Sequence, residues 1–222
     1  MAGGYAALSP YWFQRLGLSW IALSLLIVSI AYFTRQPRLL AKRPDGTKPL
    51  WAWLLFWPIY SLAWVTLAIY KVSTRDAPAS EIIPGLWLGG RLSAKQLLAI
   101  QPNWAGVVDL ALEFPRSSPL AIDYLSLAVL DGTAPSEAQL REGIDWIDKR
   151  VPHGPVLVHC ALGHGRSSTL VAAYLLHRDP AETIAGVVQA MKLKRPGVAL
   201  NAAQVRKLET FRGRLTMGSI AR

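Results

Sequence analysis

The chain has 222 residues, enough for one or two domains, with 52% hydrophobic and only 17% charged residues, an oilier balance than a soluble protein usually carries. Its 24 Lys and Arg against 14 Asp and Glu leave a formal charge of +10, which suits nucleic acid, anionic lipid heads or phosphorylated substrates. The single cysteine, Cys160, excludes an intrachain disulfide framework and a zinc site built from several thiolates.

The oil is concentrated at the N-terminal end. Residues 16–33 and 50–70 carry no charge, and each run approaches the roughly 20 residues that cross a bilayer, so both are predicted as transmembrane helices. Tyr11, Trp12, Tyr32 and Phe33 bracket the first and Trp51, Trp53 and Tyr70 the second, as rings at headgroup depth do. Pro58 inside the second is tolerated with a kink. A cleaved signal peptide is the alternative for the first run, opposed by its length and the lack of a small-residue cleavage site after it. A buried core helix is the alternative for the second, opposed by its length and the polar 35–49 stretch before it.

Two spans place both chain ends on one side of the membrane and the linking loop on the other. That loop holds Arg35, Arg38, Lys42, Arg43 and Lys48 against Asp45, while the outer flanks hold Arg15, Lys71, Arg75 and the α-amino group. The positive-inside rule leans towards a cytoplasmic loop by a thin margin that leaves the side of the C-terminal domain open. The expected organisation is a membrane anchor over residues 1–76, with the lipid bilayer as partner, and a compact domain over 77–222. The expected place is a bacterial inner (cell) membrane.

Beyond Ala77 helix and strand patterns alternate. Leu86–Leu88 reads as a short strand, and Ser93 with Gln96 forms a capping box for a helix to about Ile100. Gly106–Leu110 and Ile122–Val129 read as strands, and Ser136 with Gln139 caps a helix to about Arg150. Pro155–His159 is an apolar strand and Ser167–His177 a helix. Pro180 is placed in the first turn of another helix ending near Leu193, and Asn201 caps a last one. The fold class is α/β, a central sheet with partly parallel strands flanked by helices and preceded by the two-helix hairpin.

Between strand Pro155–His159 and the following helix lies Cys160-Ala-Leu-Gly-His-Gly-Arg166-Ser167. Glycines there permit the tight backbone that lets the amides of Ala161, Leu162, Gly163, His164, Gly165 and Arg166 converge on one anion, with the helix dipole behind them. Arg166 can grip two phosphate oxygens with its guanidinium fork. Helix N-termini and nearby cations favour thiolate over thiol, which nominates Cys160 as nucleophile. Asp131, in the loop Leu130-Asp-Gly-Thr-Ala-Pro-Ser136, is assigned as the general acid that protonates the leaving oxygen and then deprotonates water. Ser167 hydrogen-bonds the departing sulfur, and His159 orders the loop.

At these residues the chain resembles the cysteine-dependent protein tyrosine phosphatase superfamily, in its compact dual-specificity branch, whose signature is His-Cys, five residues, Arg and Ser/Thr. His159, Cys160, Gly163, Arg166 and Ser167 match it, and the likeness runs over about residues 81–213 through IIPGLWLGG, VVDLALE and LDGTAPS. The resemblance implies a dual-specificity-phosphatase-like sheet and a cysteinyl-phosphate mechanism without metal or cofactor. The 161–165 loop lacks the lysine often seen in relatives acting on highly phosphorylated inositol lipids, which weakens that substrate class.

Other readings compete at single residues. His159 and His164 with one thiol fit zinc spacing poorly. The GHGRSS fragment half-fits a dinucleotide fingerprint, but Ser168 stands at the third glycine position and Glu182 falls in a helix. Asp109 and Glu113 are read as strand-end and turn residues rather than catalytic carboxylates. Lys192, Lys194, Arg195, Arg206, Lys207, Arg212 and Arg214 are read as a solvated basic face that could also meet anionic headgroups. The expected function is a membrane-anchored phosphomonoesterase. Its substrate leans to a phospholipid such as phosphatidylglycerol phosphate or a simple phosphoinositide, with a phosphoprotein as alternative and a non-catalytic phosphate-binding adaptor as second alternative. Nucleic acid is not an expected partner.

Overall fold

The computed structural model describes residues 11–74, 76–101 and 103–220, the last six as backbone only. Arg75 and the α-amino group, counted above among the flank charges, lie outside them. The chain opens with two long helices, α1 (Trp12–Thr34) and α2 (Leu50–Ser73), both long and apolar enough to cross a membrane. They pack side by side: Trp20 Nε1 donates to the Leu55 carbonyl at 3.0 Å, and Ser24 Oγ donates to the same oxygen. Left-handed residues at Arg35 and Ala41 turn the chain between them.

The described strands form one sheet. They are β1 (Ala79–Ile83), β2 (Leu86–Gly89), β3 (Gly106–Ala111), β4 (Tyr124–Val129) and β5 (Val156–His159), in the order β1-β2-β5-β3-β4. β1 pairs antiparallel with β2, and the remaining pairs are parallel. β5 therefore sits centrally, and the loop leaving its C-terminal end opens where open α/β sheets bind ligands. Every residue of β5 and β3 is buried, as continuous apolar runs covered on both faces should be.

Among the described residues five α-helices complete the domain: α3 (Ala94–Ile100), α4 (Glu137–Arg150), α5 (Arg166–Arg178), α6 (Ile184–Lys194) and α7 (Ala202–Ile220). The capping boxes at Ser93/Gln96 and Ser136/Gln139 form as expected, and Asn201 with Gln204 makes a third reciprocal pair at the start of α7. α6 departs from expectation. It starts at Ile184, where the Thr183 hydroxyl accepts from the Gly186 amide at 3.0 Å, and Pro180 lies before it in a turn closed by Asp179 on the Ala181 amide. An Asx turn and a threonine cap outcompete the preference of proline for a first helical turn. The edge strand β1 is a further strand that the residue pattern over 79–83 does not signal.

α2 lies against the C-terminal domain along its length. Ala52, Phe56 and Tyr60 share a core with Leu112 and Leu130, and further along Leu67 and Ala63 meet Ala111, Phe114 and Leu162. Two loop lysines counted as free charges are buried against protein. Lys42 bonds Asp109, and Lys48 lies 3.7 Å from the Tyr60 ring centre. Burial and the neighbouring Lys42 bring Lys48 down to about 7.

Candidate active site

The loop from Cys160 to Arg166 is held from every side. Gly163 has φ +80°, and a side chain there would collide with the Gly89 and Gly90 backbone, so only glycine fits. Its amide donates to Cys160 Sγ at 3.3 Å, and Ser167 Oγ lies at the same distance from that sulfur. Cys160 is 4% exposed, yet it faces a cavity rather than aliphatic neighbours alone. Outside the loop Arg195, itself buried, donates to the Gly163 and Leu162 carbonyls at 3.1 and 2.8 Å and to the Ala77 carbonyl at 2.7 Å. With those carbonyls drawn outward, amides of the loop are free to turn inward. Arg195 is thus no part of a solvated basic face.

Arg166 is 2% exposed at the start of α5. Its two terminal nitrogens bond the Glu113 carboxylate at 2.8 and 2.6 Å, one of them also bonds the Val129 carbonyl at 2.9 Å, and Asp131 stands 3.0 Å away. Burial opposes the guanidinium charge, but Glu113 outweighs it and raises Arg166 above its ordinary value. Burial likewise opposes the Glu113 charge, and Arg166 overrides it, leaving the carboxyl below its usual range. The expected free fork is therefore seated on Glu113, which is a structural partner of the site and not merely a turn residue.

Behind the loop, His159 Nδ1 lies 3.1 Å from the Cys160 carbonyl and Nε2 3.8 Å from Asp109. Burial pushes His159 below its ordinary value, against the pull of Asp109. Burial would raise Asp109, but Lys42 at 2.7 Å and His159 bring it down to about 2. Tyr124 also donates to Asp109, at 2.7 Å. His164 is held by Asp76 at 3.0 Å and Tyr70 at 3.1 Å, and burial lowers it.

Cys160, Arg166, Asp131 and Glu113 line one cavity of about 640 Å³ with Ala161, Leu162, His164 and Gly165. His159 and Ser167 sit behind it, and Gly163 meets the sulfur through its amide. Residues of α1 and α2 line the same cavity, among them Val28, Tyr32, Ile59, Leu62, Leu67 and Tyr70. Asp131 is 75% exposed, and its loop is clasped by α7: Asn201 donates to the Gly132 carbonyl at 2.8 Å and Gln204 to that of Thr133 at 3.0 Å. Sequence reasoning missed Glu113, Arg195 and Lys42 as partners of the site. Among the described residues no group of three His, Cys, Asp or Glu side chains is placed to hold a metal ion.

A thiol at the centre of a glycine-containing loop, on a central parallel strand and backed by an arginine-led helix, defines a cysteine-dependent phosphatase domain. The chain belongs to the dual-specificity phosphatase family: the pattern described as "Dual specificity phosphatase, catalytic domain" matches residues 86–214. It is 32% identical over 137 residues to dual specificity protein phosphatase 1 of Arabidopsis thaliana, covering 60% of this chain and 69% of that protein. It is equally identical over 148 residues to a protein phosphatase Slingshot homolog of Xenopus laevis, but spans only 21% of that protein's length. Among solved structures, DUSP15 aligns with a TM-score of 0.53 at 28% identity, over 63% of this chain and 95% of that one. PTPMT1 in complex with PI(5)P aligns at 0.58 and 22% identity, over 64% and 99%, which is a likeness of fold.

Proposed function

We propose that this protein is a membrane-anchored phosphomonoesterase, with residues 1–76 as the lipid anchor and 77–222 as the catalytic domain, acting on a phospholipid whose headgroup ends in a phosphomonoester. In this reading the amides of residues 161–166 and Arg166 bind the phosphoryl oxygens. The Cys160 thiolate attacks phosphorus in line, the S–P bond forms as the ester P–O bond breaks, and Asp131 gives its proton to the departing alcohol oxygen. Water then attacks the cysteinyl phosphate and loses its proton to Asp131, while Ser167 hydrogen-bonds the returning sulfur. Preorganised amides in a water-poor seat carry the charge of each transition state. His159, braced by Asp109, fixes the floor of the loop.

The observation that carries the lipid assignment is the cavity itself. Val28, Ile59, Leu62 and Leu67 of α1 and α2 line the cavity that holds Cys160, interspersed with Tyr32, Tyr60, Thr66 and Tyr70, so a phosphate on the cradle leaves its alcohol in largely apolar surroundings. The phosphoprotein reading is favoured by the 32%-identical relatives, which are named protein phosphatases. The deciding experiment is a side-by-side panel of phosphopeptides and phosphomonoester lipids in mixed micelles, with Cys160→Ser as blank. Faster release from lipid supports the proposal, and a peptide rate far above every lipid rate overturns it.

A further inference from the structure

The interhelical turn is bound to the catalytic domain. Lys42 Nζ meets Asp109 at 2.7 Å with both side chains 1% exposed or less, in direct reach of the strand that precedes the Glu113 loop. The Arg116 amide donates to the Gly46 carbonyl at 2.8 Å, and Gly46, buried with φ +81°, lies so close to Tyr124 and Arg116 that a side chain there would collide with them. At the far end of α2 Lys71 donates to the Arg91 carbonyl at 2.7 Å and Tyr70 meets His164. Midway, the Arg91 guanidinium stacks 4.6 Å from the Trp64 ring.

One domain therefore holds both ends of a 24-residue helix, about 36 Å long at 1.5 Å per residue. The hydrocarbon core of a bilayer is about 30 Å thick. If α2 crossed it with these contacts intact, the domain would stand beside the helix at bilayer depth. Asp109, Glu113, Asp131 and Arg166 would then be carried to that depth, where ionised side chains and lipid-facing loops are disfavoured. The outward faces ask for lipid all the same. Leu25, Leu26 and Phe33 of α1 and Trp57, Val65 and Ile69 of α2 are exposed, and only Ser24 and Ala31 of α1 are buried. Arg35, Arg38 and Arg43 are exposed beside this surface, where anionic headgroups would lie.

We propose that the hairpin is monotopic: α1 and α2 lie within one leaflet, their outer faces among acyl chains, with the 35–49 turn on the same side as the catalytic domain. This rests on the anchor reading above and changes its topology from spanning to embedded. It also gives the largely apolar lining of the cavity a use, since a lipid in that leaflet can reach Cys160 by lateral movement.

The test is single-cysteine labelling of the full chain in a Cys160→Ser background, with exposed Arg43→Cys or, as an independent site, Pro44→Cys in the turn, and Glu142→Cys in the domain. Sealed right-side-out and inside-out vesicles from expressing cells are treated with a membrane-impermeant maleimide. Turn and domain sites labelled in the same vesicle population support the proposal, and labelling in opposite populations overturns it while leaving the anchor intact. Alkaline carbonate extraction separates the two readings: a protein released by carbonate overturns the anchor and the monotopic hairpin together, whatever the labelling.

Discussion

Two loops meet at Cys160 on opposite terms. The 160–166 loop is buried and clamped, with Arg195 on its outer carbonyls, Gly163 wedged against Gly89, and Arg166 seated on Glu113. The Asp131 loop is tied through its backbone to Asn201 and Gln204, while its carboxylate remains 75% exposed. The difference fits the roles proposed for them. Dipoles that stabilise a transition state must be in place before charge develops, whereas an acid must reach the oxygen of whichever alcohol arrives.

That contrast sets an order of effects. Cys160→Ser removes the nucleophile and should lower turnover of any phosphomonoester by on the order of 10⁴-fold or more, measured as phosphate release by purified full-length protein. Asp131→Asn should leave the cradle intact and lower kcat by roughly 10²–10⁴-fold on alkyl phosphates, with a smaller loss on an aryl phosphate whose leaving group needs less protonation. Equal losses on both substrates would remove Asp131 from the acid role.

Arg195→Met probes the clamp. Stranding buried carbonyls costs about 1–3 kcal/mol each, so the variant should lose on the order of 3 kcal/mol in a denaturant titration and lose activity with it. Unchanged stability would mean the cradle holds its shape unaided. The smallest effect is expected from acid. Asp109 lies at about 2 when folded against an ordinary 3.8, so its stabilising contribution is complete above the ordinary value and lost as pH falls through the folded one. Lys42→Met should shift acid unfolding to higher pH, read by circular dichroism, and an unmoved midpoint would show that the Lys42–Asp109 pair adds nothing to the fold.

What the sequence disclosed was local. The capping boxes at Ser93/Gln96 and Ser136/Gln139 lie within one helical turn, so their residues announce them without tertiary help. The order His-Cys, five residues, Arg-Ser exposed the loop for the same reason. Glu113 meets Arg166 across 53 positions, Arg195 meets Leu162 across 33, and Lys42 meets Asp109 across 67, so no spacing rule reaches them. Pro180 misled because two short-range devices nearby, the Asp179 turn and the Thr183 cap, both outweigh it. The apolar runs foretold α1 and α2 with bounds close to those observed, but composition alone carries no sign of the domain that lies along α2.

In the proposed reaction phosphorus passes through sulfur. The most direct measurement is rapid acid quench of the full-length protein during turnover, followed by mass spectrometry of the peptide containing Cys160. One phosphoryl group is expected on that cysteine, chased away as turnover ends and absent from Cys160→Ser. Turnover with no label at Cys160, or with label carried by another residue, would contradict it.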